Sequence, residues 1–170
     1  MTLAMPLYGQ SAAHPGRHYP AQPATPASGV HSDYDPKFDK TVLQLDPAPL
    51  DATLRISALV ALDGRKVTKE APGVVLTFWS TAPRKLFQDK RNVSLVIDHA
   101  APISLGAAFL QPNPRPGYTE ILMSSTSLDQ WLVLAKARTA TLSVGDFSYD
   151  LTPELLAAIH DFASRMAPRK

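Results

Sequence analysis

Apolar and polar positions begin to alternate regularly at Thr53. From there to Leu62, residues Leu54, Ile56, Ala58, Val60 and Leu62 share one face, the period-two signature of a half-buried strand. Thr41–Leu45 is a shorter strand candidate, closed by Asp46-Pro47-Ala48-Pro49. Asp63-Gly64 marks a turn, and Val74–Trp79 follows as a run apolar on both faces, which predicts a central position in a sheet or one between sheet and helix. Beyond the polar bridge Ser80–Arg91, Asn92–Asp98 places Val93, Leu95 and Ile97 on one face. Ile103–Leu110 is a strand candidate weakened by Gly106. The segment 111–117, QPNPRPG, is an irregular loop because its prolines oppose both helix and ladder, and Tyr118–Met123 resumes β character.

The C-terminal third is the most explicit. Ser127 and Gln130 form a capping box ahead of the apolar run 128–136, which predicts a short buried helix with Lys136 at its carbonyl end. Ser124–Thr126 read as the approach to that cap. Thr139–Val144 and Phe147–Leu151 flank Gly145-Asp146, a two-residue hairpin turn with glycine first. That turn sets Val144 opposite Phe147, Leu142 opposite Tyr149 and Ala140 opposite Leu151, with all six apolar residues on one face; a slip by one residue would mix the faces. A closing helix begins with Thr152 as N-cap and Pro153 at the first helical position, and Leu151 is placed to staple onto Leu156. Leu155, Ile159, Phe162 and Met166 form its apolar stripe, while Ala157, His160, Asp161 and Ser164 point away.

These elements predict an α+β fold: a mainly antiparallel sheet packed against one short and one C-terminal helix. Residues 1–40 read as a flexible Pro/Ala-rich leader or tether and residues 41–170 as a single β-rich domain. Proline at 15, 20, 23, 26 and 36, spaced by small and polar residues, offers too little apolar surface to offset the entropy of ordering. Met1–Leu7 followed by Ser11-Ala12-Ala13 has the small-residue pattern that precedes signal cleavage, without a basic start or a long hydrophobic stretch. An export remnant would place the domain in the periplasm or outside the cell; with Met1 as the true start the expectation is a cytoplasmic protein.

Composition narrows the chemistry. The 170 residues include no cysteine, so disulfides, thiol catalysis and thiolate metal centres are excluded. A net charge of +2 gives no strong nucleic-acid signal, and no apolar run approaches the roughly 20 residues of a membrane span. No nucleotide-binding, zinc-protease, serine-hydrolase or EF-hand motif is present, so no cofactor is implied.

The remaining candidates are individual residues. His99, next to Asp98 at a strand end, is the one candidate general base for a small hydrolase, although adjacent strand residues point to opposite faces. His31, Asp33 and Asp35 would share one edge of an extended segment and offer three metal ligands. Arg65, Lys66 and Lys69 in one loop, and Arg84, Lys85, Lys90 and Arg91 in another with Phe87 nearby, would form an anion-attracting patch if the loops met. Trp79 and Trp131 are groove or core candidates. The functional expectation is a non-enzymatic binding or structural domain, with another protein or an anionic ligand as partner. A His99 hydrolase and an anionic-surface or nucleic-acid binder are the alternatives.

Overall fold

The structure, a computed structural model, describes residues 29–65, 71–113 and 115–166. The expected export remnant, the leader prolines 15–26 and Lys66 and Lys69 lie outside those residues.

Ten strands and two helices follow the order β1 (Val30–Asp35), β2 (Lys40–Pro49), β3 (Leu54–Asp63), β4 (Gly73–Ser80), β5 (Asn92–Ile97), β6 (Ile103–Ala107), β7 (Phe109–Leu110), β8 (Glu120–Ser127), α1 (Leu128–Ala135), β9 (Ala140–Val144), β10 (Phe147–Asp150) and α2 (Pro153–Met166). The α+β expectation holds, and every strand pair is antiparallel. The strands form two sheets, not one: six in the order β1-β2-β3-β4-β8-β7 and four in the order β10-β9-β5-β6. The single strand expected over 103–110 is divided at Ala108, whose amide donates to the Arg91 carbonyl (2.7 Å) while the chain passes from one sheet to the other.

Folded structure also starts earlier than residue 41. Val30–Asp35 pairs with Lys40–Leu45 as a hairpin, and Arg165 Nη1 of α2 donates to the Val30 carbonyl (3.1 Å). A polar strand of this kind has no apolar alternation to announce it; pairing with β2 and this tie from the last helix hold it.

The inward residues of β3 are those the alternation selects, and all five are buried. One hydrophobic cluster joins them to Val74, Leu76 and Phe78 of β4, to Val93 and Leu95 of β5, and to both helices. Ser127 caps α1 with the full reciprocal box. Ser124 and Thr126, read as the approach to the cap, are buried positions within β8. The β9–β10 register is the one its turn demands, with Val144 opposite Phe147 and Leu142 opposite Tyr149, and Gly145 has φ +60. Phe147 remains 39% exposed despite sharing that face. Thr152 Oγ1 accepts from the Leu155 amide (3.3 Å), and the α2 stripe is buried, with Phe162 edge-on to Trp131 at 5.3 Å.

Candidate functional site

Each candidate singled out by sequence has a definite place. Asp98 and His99 are the two central residues of a tight turn closed by Ala100 N to Ile97 O (2.9 Å), with φ +48 and +61, a left-handed geometry that aspartate and histidine tolerate better than most residues. Asp98 Oδ1 accepts from the amides of Thr139 and Arg138, both at 2.9 Å, and from the Thr139 hydroxyl. The Thr139 amide bond first, then those from Arg138 and the Thr139 hydroxyl, outweigh desolvation and hold the Asp98 carboxyl below its usual range. The carboxylate therefore ties two loops together, and His99 stands exposed on the turn, without an orienting acid among the described residues. Among the described residues, no second catalytic group is hydrogen-bonded to it.

Arg65 and the basic residues Arg84, Lys85 and Arg91 are placed at opposite ends of β4. Leu54 pairs with Ser80 and Leu59 with Val75, so Arg65, after β3, lies beyond the N-terminal end of β4, while Arg84, Lys85 and Arg91 follow its C-terminal end. Eight strand residues separate the two groups, about 24 Å of extended chain. Arg65 stacks over Tyr34 at 5.5 Å and Lys90 pairs with Asp146 at 2.8 Å. Phe87, expected near the basic loop as an exposed aromatic, is fully buried. His31 faces Asp46 (3.4 Å) and Asp35 accepts from the Lys37 amide (2.8 Å). No group of three potential ligands able to hold a metal ion occurs among the described residues, and no helix there is long and apolar enough to cross a membrane. Trp131, 1% exposed, belongs to the core.

Trp79 belongs to a different surface. On the six-stranded sheet, the face opposite the core carries Gly73, Val75, Thr77 and Trp79 of β4 and Ile121, Met123, Ser125 and Ser127 of β8, with no charge among them. Leu59 pairs with Val75, Thr77 with Met123, and Met123 with Phe109, so these side chains form one continuous patch. Phe109 is 62% exposed, Met123 37% and Leu59 36%. Arg115 and Tyr118 border the patch. Tyr118 packs on Trp79 at 5.1 Å, Arg115 lies over the indole at 5.5 Å, and Trp79 Nε1 donates to Ser57 Oγ (2.9 Å). These contacts hold the indole rigidly at the edge of the patch.

No known protein family, characterised protein or solved structure matches the chain.

The four-stranded sheet supplies an internal comparison. Its face away from the core carries Asn92, Ser94, Val96, Thr141, Ser143, Ser148 and Asp150, with Thr141 bonded to Asp150 (2.7 Å) and Ser143 to Ser148 (2.9 Å). That is the polar dressing of a solvated sheet face. Sequence reasoning did not single out Leu59, Met123 or Phe109. The signal was present in the two-sided apolarity of Val74–Trp79, which that reasoning assigned wholly to burial.

Proposed function

We propose that this is a non-enzymatic binding domain that docks a protein partner on the outer face of its six-stranded sheet. The observation that carries this reading is the uncharged apolar patch Leu59–Val75–Thr77–Met123–Phe109 beside the braced Trp79. Contiguous exposed apolar surface marks interaction sites, and the centres of protein interfaces are depleted in charge and enriched in aromatic residues and methionine. Arg115 and Tyr118 at the border are residue types that anchor such contacts. Backbone pairing already fixes the patch, so docking would require little ordering of this surface.

The test places a photo-cross-linking amino acid at Thr77 in the full chain, and separately at Ser143 on the polar sheet as a control, in cells that make the protein. The expected result is a discrete adduct with another polypeptide from position 77, lost when Leu59→Arg is added, and none from position 143. Equal labelling from both positions, an adduct insensitive to Leu59→Arg, or a cross-link only within the same chain would overturn the reading.

A further inference from the structure

A second surface lies away from the sheet patch, where the end of α1 meets the beginning of α2. A cleft of about 510 Å³ opens there, a size suited to a small organic ligand. Lys136, Arg138 and His160 supply its polar lining, and among the described residues no acidic one lines it. The rest is apolar: Ala135 at the end of α1, Ala137 on the connection leaving it, and Pro153, Leu156 and Ala157 on α2.

The backbone that carries the three basic groups is fixed from several directions. The amides of Lys136 and Ala137 donate to Val133 and Leu134, both at 3.1 Å. The Arg138 amide is held by Asp98 Oδ1 at 2.9 Å, and the same carboxylate interacts with the Arg138 charge. His160 Nδ1 lies 3.2 Å from the Ala135 carbonyl. A carbonyl can only accept, so Nδ1 is the donor of that bond. The Asp98-His99 turn thus acquires a role that neither residue has as a catalyst: Asp98 is a positioning residue for a basic loop.

From this geometry we infer that the α1–α2 cleft binds an anionic amphiphile, a carboxylate or phosphate head on a short apolar stem. The head lies at the Lys136–Arg138 rim, where charge-assisted hydrogen bonds are available. The stem lies along the alanines, Pro153 and Leu156, where removing apolar surface from water favours binding. A purely inorganic anion would leave the apolar lining unused, and a neutral amphiphile would make no use of the Lys136 and Arg138 charges. The site is independent of the sheet patch.

The experiment is a titration of the full-length, ¹⁵N-labelled chain with octyl phosphate, octanoate, octanol and inorganic phosphate, all below micelle-forming concentrations. At least one octyl anion should shift the amides of residues 135–138 and bind about tenfold more tightly than octanol or inorganic phosphate. Preference for octyl phosphate identifies a phosphate head, and preference for octanoate a carboxylate; either result supports the inference. Lys136→Glu with Arg138→Glu should weaken binding by at least about tenfold, the milder Arg138→Gln should weaken it less, and Leu59→Arg should leave it unchanged. No shift with either anion, equal affinity for octanol, or undiminished binding by the double variant would overturn it.

Discussion

Glu120 is the most informative residue for testing how the two sheets are joined. It is 1% exposed, on the inner side of β8, and its carboxylate receives the amides of Leu86 (2.6 Å) and Phe87 (3.1 Å) from the crossing between sheets. Phe87 in turn is fully buried and meets Phe147 edge-on at 5.7 Å. Glu120→Ala removes the acceptor for both amides. An orphaned buried donor costs about 1–3 kcal/mol, and because Leu86 is only half-buried, water replaces part of its loss, which puts the sum at about 2–4 kcal/mol. Glu120→Gln keeps one carbonyl oxygen and turns an NH₂ group toward a donor, so about half of that loss, roughly 1–2 kcal/mol, is expected. Urea unfolding followed by tryptophan fluorescence measures both, and at an m-value of about 2 kcal/mol/M the Ala variant should lower the midpoint by about 1–2 M. Hydrogen exchange at the Phe87 amide should accelerate in parallel. An Ala variant within about 0.5 kcal/mol of the parent, the range of an ordinary surface substitution, would refute the idea that this carboxylate latches the crossing.

Burial first, then the charge of Asp51, pushes the Tyr149 hydroxyl up to about 12. The unfolded chain then releases this proton near pH 10 while the folded chain retains it, so stability present below pH 10 should decline between pH 10 and 12; Tyr149→Phe should flatten that part of the urea midpoint against pH, and an unchanged slope would contradict the assignment. Gly145→Ala meets a φ of +60 and would place its Cβ 2.6 Å from the Lys90 carbonyl oxygen. Strain of this kind costs about 1–3 kcal/mol, read as a lowered thermal midpoint, whereas Asp146→Ala beside it should do much less. Phe162→Ala empties a fully buried site against Trp131 and should cost about 3–5 kcal/mol, compared with little change for the exposed Ser164→Ala in the same denaturation assay.

Much of the local architecture was legible in the sequence, and particular residues show why. Leu54 through Leu62 alternate because one side of β3 faces the core. The β9–β10 register follows from a two-residue turn plus matched apolar residues. Ser127 with Gln130, and Thr152 with Pro153, mark helix starts through groups only a few positions apart. The candidate sites were less legible. Asp98 and His99 were visible as polar residues at a strand end, but only the approach of the 138–139 loop shows that Asp98 binds backbone amides.

What the sequence alone determined, then, was each interaction spanning a turn or a single hairpin, because periodicity, capping and turn chemistry are written in neighbouring positions. The tertiary structure decided the division into two sheets, the recruitment of Val30–Asp35, the burial of Glu120 and the separation of Arg65 from Arg84 and Lys85 at opposite ends of β4. Those depend on contacts between residues tens of positions apart, whose pairing no local pattern encodes. The same holds for the patch of Leu59, Met123 and Phe109: β3 is joined to β8 and β7 only through β4 in the assembled sheet, which leaves their outer side chains facing the same way.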